Sequence, residues 1–403
     1  MYKQILAALA LAGCAPVLAA YADTALAPNS ALAPNTTVGG QVFLDIGHIS
    51  NQQNGTDVTP TGTGFDAKRF YLVVDHAFDD VWSANLTTDA QYSSSTTAGS
   101  GGVAEVFIKK LYLQANINDA FVVHAGSYNS TWAPFVESLY SYRYIEKTQT
   151  DRLGFATTAD WGLNATGKIA DSRVTYSVSV VNGGGFKNPT RTKDVDFEAR
   201  VAIVPVTGLS IALGFYTGHL GQVTQANATF ASNTASRFDV AVGYTFEGLR
   251  IGGEFFSAKN YKSANATTGL LSGPAGVVVA TNAVIANGIT TNPGTVVSDK
   301  ADGGSIWASY NFSDQLSVFG RYDSAKLSKE VLPGLKDTYA HVGVVYKPNK
   351  KVDLALVYKN EKVENGAIGI SSADANSSYL IGGTKATNGG KFNEIGVYAQ
   401  YSF

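Results

Sequence analysis

The stretch DVDFEARVAI, from Asp194 to Ile203, alternates with a period of two. Asp194, Asp196, Glu198 and Arg200 are charged, and the residues between them are apolar. Because successive side chains of a β-strand point to opposite faces, this pattern predicts a strand with one ionic and one apolar face. The same alternation recurs at 174–180 and 238–246. An apolar face shared by many strands predicts a sheet with one side turned to an apolar environment.

The composition excludes several classes of protein. Charged residues make up 15% of the 403, against roughly 25% in soluble domains. The chain contains 42 Gly, 21 Tyr and 20 Phe, which favours strands and turns over long helices. Beyond the first twenty residues there is no apolar run of the roughly 18 residues needed for a membrane-spanning helix. A net charge of −2 gives no electrostatic basis for binding nucleic acid.

The N-terminus has the pattern of an export signal. Lys3 precedes an apolar stretch from Ile5 to Leu18, and Ala20-Tyr21-Ala22 is a small-x-small cleavage pattern, so residues 1–22 are predicted to be a signal peptide. The Leu11–Cys14 stretch also resembles a lipobox, which leaves lipidation of Cys14 as an alternative. Residues 23–37 repeat the sequence ALAPN and predict a flexible tether.

The remaining residues, 38–403, predict a 16-stranded antiparallel transmembrane β-barrel. Seven short turns rich in Asp, Asn, Gly, Pro or Ser alternate with eight longer polar segments, centred near Asn54, Ser95, Tyr140, Gly184, Thr224, Val279, Leu332 and Ser372. Short turns, long loops and an even strand number are typical of bacterial outer-membrane barrels. The stretch 264–302 is long enough for another hairpin, so the strand number stays open by two.

The ends of the apolar rows support the barrel. Aromatic residues stand there, as at the two membrane interfaces of such a barrel: Trp161, Phe246, Phe312 and Tyr346. The chain ends on an apolar alternation that includes Tyr401 and the terminal Phe403. Such an ending predicts a signal that the barrel-assembly machinery recognises.

Three segments resemble the phosphate-selective porin O and P family in order and spacing. They are 65–92, with FDAKRFYLVVD, 106–147, with HAGSYNSTWAPFVESLYSYRYIEK, and 160–185, with DWGLNATGKIADSRVTYSVSVVNGGG. The likeness covers the first half of the chain, and the second half agrees only in architecture. The resemblance implies a trimeric porin whose third loop folds into the lumen and narrows it. It also implies arginines along the wall of an anion channel.

The alternation places several charged residues on the face opposite the apolar row, which predicts that they line the pore. The arginines are Arg69, Arg173, Arg200, Arg237, Arg250 and Arg321. Carboxylates fall on the same face: Asp75, Asp196, Glu198, Asp239, Glu254 and Asp323. An arginine on the lipid face would cost about 2–4 kcal/mol, so an inward position is expected whatever the function. Pairing with the carboxylates would weaken any selectivity for phosphate.

The stretch 129–152 is the predicted constriction, because it is far more aromatic and ionic than the other loops. Its candidate residues are Trp132, Phe135, Glu137, Tyr140, Arg143, Lys147 and Arg152. Three interpretations stay open. The cations could select anions at the narrowest point. They could instead tie the loop to the barrel wall, or the tyrosines could stack on sugar rings.

Enzymatic patterns are weak. GLNATGK, from Gly162 to Lys168, has P-loop spacing but is followed by Ile169 and lies along a predicted strand, so it fails the structural test. The five histidines show no metal-ligand spacing, and no metal or cofactor is expected. An enzyme at the barrel rim would use His48 or His219.

The sequence therefore predicts an outer-membrane porin of a Gram-negative bacterium that passes small hydrophilic solutes, with a preference for anions that could extend to phosphate. About 23 residues per strand leave no room for a passenger domain. The alternatives are a general or carbohydrate porin, and an outer-membrane barrel that carries an enzyme or adhesin. Expected partners are outer-membrane lipid, the barrel-assembly machinery, small anions or other small solutes and, from the resemblance, two further copies of the chain.

Overall fold

The computed structural model describes residues 35–93, 103–223, 234–264, 269–274, 284–286, 289–291, 298–371, 378–383 and 389–403. The predicted signal peptide with Cys14, and the tether up to residue 34, lie outside these ranges. Sixteen strands form one closed barrel: β1 (Thr36–Gln53), β2 (Thr56–Ala77), β3 (Trp82–Ser93), β4 (Val103–Asn118), β5 (Phe121–Asn129), β6 (Ala159–Ile169), β7 (Val174–Val181), β8 (Asp196–Ile203), β9 (Leu209–Gly218), β10 (Ala235–Phe246), β11 (Leu249–Lys259), β16 (Lys300–Asn311), β17 (Leu316–Lys326), β18 (Lys336–Asn349), β19 (Val352–Glu364) and β22 (Gly390–Ser402).

The prediction of a 16-stranded antiparallel barrel is confirmed. Each strand pairs with its neighbours in the barrel, and β22 closes the ring by pairing with β1 from Gln41↔Ser402 to Gln53↔Gly390. Closure leaves no unpaired strand edge, which is what a sheet inside a bilayer needs. No helix among the described residues is long and apolar enough to cross a membrane.

The alternation sorts side chains as predicted. On β8, Val195, just before the strand, is 64% exposed and Val201 is 49% exposed, whereas Asp196 and Glu198 are buried. The other strands also turn large apolar side chains outward, for example Leu213, Ile306 and Val342. The outer surface is therefore an apolar belt. Together with closure, this places the protein in the outer membrane of a Gram-negative bacterium.

The prediction of a long loop near Asn54 is wrong. β1 continues to Gln53 and β2 begins at Thr56, so only Asn54 and Gly55 connect them. Both connecting residues have positive φ, 53° and 82°. Asn-Gly is the preferred pair for this two-residue hairpin turn, because Gly has no Cβ and Asn tolerates the left-handed region. The polar, threonine-rich stretch is an extended hairpin instead of a loop.

The described residues between β11 and β16 add no strand to the barrel. Short strands there are β12 (Lys262–Ala264), β13 (Leu270–Pro274), β14 (Val284–Ala286) and β15 (Ile289–Thr291). Two more follow β19: β20 (Ala367–Ser371) and β21 (Ser378–Gly382). β12, β13, β20 and β21 form a four-stranded sheet of their own, so the connections after β11 and after β19 are joined. The predicted loop centres Ser95, Thr224, Val279 and Ser372 lie outside the described residues.

This loop sheet belongs to an apolar cluster at the end of the barrel opposite the termini. Leu271, Ile368 and Ile381 are buried there together with Leu332 and Phe155. Lys262 of β12 lies 5.6 Å from the Phe155 ring centroid. Burial lowers the pKa of Lys262 to about 8, so its ammonium loses charge not far above neutral pH.

The C-terminal phenylalanine packs where the barrel closes. The Phe403 N–H donates to Gly40 O, and the Gly40 N–H donates back to Phe403 O. The Phe403 ring stacks on Phe70 at 6.5 Å. A Cβ on Gly40 would lie 2.3 Å from the Phe403 ring, so glycine is required at this close approach. Tyr401 and Phe403 remain 39% and 41% exposed on the outer surface, where an insertion signal would have to be.

The apolar belt makes a quantitative prediction at Val342, which is 59% exposed in the middle of β18. Val342→Arg should lower the free energy of unfolding by about 2–4 kcal/mol, because the guanidinium would enter lipid. Urea titration of the protein reconstituted in lipid vesicles measures this difference, with Val342→Ala as the matched control. Equal stability of the two variants would contradict the position of the belt.

Candidate functional site

Loop 3, defined here as residues 130–158 between β5 and β6, contains two short helices, α1 (Ala133–Tyr140) and α2 (Gln149–Arg152). Pro134 stands in the first turn of α1, where its missing N–H leaves no intrahelical bond unmade. Ser141 ends α1 in the left-handed region at φ 69°, and its N–H donates to Glu137 O. The sequence did not predict these helices.

Loop 3 bonds to strands on both sides of the barrel. The Thr131 N–H donates to Glu198 of β8 at 3.0 Å, and the Trp132 indole N–H contacts Glu254 of β11 at 3.4 Å. The Tyr140 hydroxyl bonds to His341 of β18 at 3.0 Å. β18 stands on the opposite side of the 16-strand ring from β5 and β6.

Arg152 at the end of α2 is the most strongly held residue of loop 3. Its guanidinium lies 2.5 Å from Asp337, 2.7 Å from Glu361 and 3.4 Å from Asp323, and all four side chains are nearly inaccessible to water. These carboxylates come from β18, β19 and β17. The sequence leaves two roles open for the loop cations, selection of anions and attachment of the loop to the barrel wall. For Arg152 the structure favours attachment to the wall.

Two wall arginines predicted to line the pore also hold loop 3. Arg321 forms a two-point ion pair with Asp323 and donates to the Lys147 carbonyl. Arg237 pairs with Asp239 at 2.7 Å and donates to the Phe155 carbonyl. Both side chains are buried. They neutralise carboxylates and fix the loop backbone, so they do not offer open guanidinium groups to a solute.

The other predicted wall arginines differ from one another. Arg69 is buried and pairs with Asp89 at 2.6 Å. Arg173 is exposed in the turn one residue before β7, so its inward position stays a prediction. Arg200 and Arg250 lie on the inner face, half-buried, and Arg200 also holds loop 3, because its Nε–H donates to the Thr131 carbonyl at 3.0 Å. Within the described part of the chain, neither forms an ion pair with a carboxylate.

The predicted wall carboxylates are mainly loop anchors. Glu254 accepts from the Thr150 N–H at 3.3 Å and from its hydroxyl at 3.1 Å. Glu198 holds Thr131 as described, and Asp196 accepts from the backbone N–H groups of His219 and Leu220. Asp75 accepts from Asn85 at 2.7 Å. Unlike these, Asp239 and Asp323 bind arginine.

A second group of charges surrounds the middle of loop 3 and is called the eyelet cluster below. Its cations are Arg69, Lys109, Arg143 and Lys147, and its carboxylates are Asp89, Glu137 and Asp151. Arg143 pairs with Glu137 at 2.5 Å and lies 3.9 Å from Asp151. Arg69 and Arg143 both act electrostatically on Lys109 and on Lys147. Of the three predicted constriction cations, Arg143 and Lys147 thus belong to the eyelet cluster, whereas Arg152 lies outside it.

β-bulges bring extra cations to the inner face. The β3–β4 register passes from Thr87↔Lys110 to Thr88↔Ile108, so Lys109 has no opposite residue. Ile108 and Leu111 point outward, and Lys109 and Lys110 share the inner side. A bulge at Lys68 places Lys68 and Arg69 together in the same way. Strict alternation cannot show this, because the bulge inserts one residue into the period.

The aromatic residues of loop 3 are mostly packed. Trp132 and Tyr140 are buried, and Tyr140 lies against Trp307. Phe135 is half-buried beneath the Arg200 guanidinium, 4.2 Å from its ring centroid. Tyr142 is half-buried and stacks on Phe319 at 4.3 Å. The half-buried rings are next to cations or to other rings, and no continuous row of open tyrosine faces is present in loop 3.

The enzyme alternatives receive little support. His48 bonds to Thr63, and His219 lies 3.6 Å from Asp194, but no hydroxyl nucleophile bonds to His219 within the described ranges. No group of three potential metal ligands occurs in that part of the chain either. The P-loop-like stretch 162–168 lies within β6 and opens no helix.

Arg152 gives a direct test of the loop anchor. Arg152→Met should lower the free energy of unfolding by about 3–5 kcal/mol, because three buried carboxylates would lose their shared cation. Urea unfolding in detergent, followed by tryptophan fluorescence, measures the loss. Arg191→Met, at an exposed position, is the control with the same charge change. A loss in Arg152→Met no larger than in this control would contradict the anchor.

Comparisons with known proteins support the fold. No protein-family profile and no curated sequence matches the chain. Among the most similar solved structures is an anion-selective porin from Comamonas acidovorans, 12% identical over 91% of this chain and 99% of that one, with a TM-score of 0.61. The outer-membrane channel DcaP of Acinetobacter baumannii is 14% identical over 91% and 97%, with a TM-score of 0.58. A trimer form of OmpT, an outer-membrane protein of Vibrio cholerae, is 13% identical over 91% and 99%, with a TM-score of 0.56. The chain therefore has the fold of the 16-stranded outer-membrane porins.

Proposed function

We propose that the protein is a porin that passes small hydrophilic solutes by diffusion and prefers anions. Loop 3 bonds to β8, β11, β17, β18 and β19, which supports a loop folded into the lumen. The wall opposite these contacts, from β2 to β7, keeps half-buried polar side chains such as Tyr71, Lys109 and Tyr128. The water-filled path would then run between loop 3 and this wall.

The observation that carries the anion preference is the eyelet cluster. Four cations stand against three carboxylates, and Lys109 contacts the hydroxyl and ring of Tyr71, with no ion-paired carboxylate among the described residues. Glu146, a further carboxylate that acts on Lys147 and directly precedes it, is paired with Lys359 at 3.4 Å. Arg200 and Arg250 add two inner-face cations outside ion pairs. A pore with a net positive narrow section draws anions and repels cations.

The same geometry bears on phosphate. A continuous row of open arginines would favour a tightly held phosphate. Arg69, Arg237 and Arg321 are ion-paired, and Arg173 is exposed in a turn. The proposal is therefore general anion preference, and the specific resemblance to phosphate-selective porins stays a prediction. The second candidate is a general porin without ion preference, which the many paired charges favour.

Assembly and insertion complete the proposal. The resemblance and the trimer form of one solved neighbour support a homotrimer. The outward Tyr401 and Phe403 support recognition by the barrel-assembly machinery. We do not assign an enzymatic activity, because neither candidate histidine combines a hydroxyl with a carboxylate among the described residues: His48 bonds to the Thr63 hydroxyl, and His219 lies beside Asp194.

Anion preference is tested by the zero-current potential of the purified protein in a planar bilayer under a KCl gradient. The wild type should give a chloride-directed potential. Arg143→Ala with Lys147→Ala should lower the chloride-to-potassium permeability ratio by roughly twofold per charge, because a unit charge about 8 Å away is worth about 0.5 kcal/mol in water. Lys109→Met should act in the same direction.

The matched control is Arg191→Ala with Lys193→Ala, which removes the same charge from an exposed loop. Its potential should equal that of the wild type. A wild-type potential near zero, or equal shifts in the two double variants, would support the general porin instead. Phosphate added at millimolar concentration should compete with chloride only weakly, and strong block would restore the phosphate-selective prediction.

A further inference from the structure

A patch of rings and lysines lies on the inner wall beside the eyelet cluster. This ring patch consists of Tyr71, Phe107, Lys109, Phe186 and Lys187. The Phe107 and Phe186 rings stack at 6.0 Å with 19° between their planes. The Lys187 ammonium is 4.6 Å from the Phe107 centroid. The Lys109 ammonium is 4.4 Å from the Tyr71 centroid and 5.8 Å from that of Phe186.

The position of Phe186 is fixed by the chain around it. Its N–H donates to Ala159 O at 3.0 Å, and its carbonyl accepts from the Trp161 indole at 3.0 Å. The Gly185 N–H donates to Asp160 at 3.1 Å. The segment between β7 and β8 is therefore pinned to the start of β6. Phe107 and Lys109 are placed by β4, the strand that contains the bulge.

The patch combines apolar ring area with positive charge. Rings beside the lysines stabilise the cations through their negative faces, yet they carry no net charge. Lys187, Lys109 and Arg69 stand against two carboxylates, Asp89 and Glu105, so the cations around the patch outnumber the carboxylates. Phe107, Phe186 and Tyr71 are half-buried.

We propose that the ring patch binds anions that carry a planar apolar ring, such as aromatic carboxylates, before they pass the eyelet. The ring of the solute would pack against Phe107 and Phe186, and its carboxylate would lie between Lys109 and Lys187. Aromatic side chains favour offset or edge contacts with a further ring, which a small inorganic anion cannot make. The inference rests on the proposed anion preference and specifies which anions the pore concentrates.

The test compares block of chloride current by benzoate, acetate and benzyl alcohol in a planar bilayer containing the full-length protein. Acetate has the charge without the ring, and benzyl alcohol has the ring without the charge. Benzoate should halve the chloride current at about a tenfold lower concentration than either of the others, because ring contact and charge both contribute.

Phe107→Ala should raise the half-blocking concentration of benzoate to that of acetate and leave the acetate value unchanged. Phe186→Ala, which removes the other ring of the stack, should raise the half-blocking concentration of benzoate in the same way. The proposal therefore does not depend on the folding of a single variant. Tyr112→Ala is the matched control, because it removes an inner-face ring of β4 that packs on His124 and Tyr128. It should keep the benzoate preference.

The outcomes separate this inference from the proposed function. A chloride-directed potential with equal block by benzoate and acetate would overturn the ring patch and leave the anion-preferring pore. If benzyl alcohol blocked the current as strongly as benzoate, the proposed role of the lysines in binding the carboxylate would be overturned. Absence of anion preference in the wild type would overturn the proposed function itself.

Discussion

The interior of this barrel depends on the neutralisation of charge in a place with little water. Arg152 shows the constraint most clearly, because one guanidinium is shared by carboxylates of three adjacent strands. Each of those carboxylates must point inward, since the outer face is lipid. Without a cation between them they would repel one another at short range. A buried charge that loses its partner is strongly destabilising, so loop 3 and β17 to β19 have to fold as one unit.

This constraint makes the lumen asymmetric. Paired charges and loop anchors concentrate where loop 3 meets β8 to β11 and β17 to β19, as with Arg237, Glu254 and Arg321. Those groups have no capacity left for a solute. The wall from β2 to β7 holds Lys109, Tyr71 and Phe107, whose contacts are largely with rings. Charge that is needed to hold the loop and charge that is open to a solute therefore occupy different sides of the barrel.

The sequence predicted the fold well, because the fold follows from a local rule. Alternation and turn residues predicted the sixteen-stranded barrel, and the prediction failed mainly at Asn54, where polarity suggested a loop and an Asn-Gly turn makes a hairpin. The site was harder to predict. Which arginine meets which carboxylate depends on residues more than a hundred positions apart, as with Arg152 and Glu361. Bulges such as that at Lys109 also break the period on which the prediction relied.

The arrangement of open cations bears on how a diffusion pore can be selective at all. A site that binds an anion tightly holds it and slows passage, so conduction needs binding that is favourable but weak. Carboxylate pairing would cancel the field of a lysine, and a bare lysine in a confined space would be costly to bury. An aromatic ring beside the ammonium avoids both the cancelled field and the cost of burial. It partly stabilises the cation and leaves its net charge in place. Lys109 against Tyr71 has this form. In the proposed anion-preferring pore, such a pair would attract an anion without trapping it.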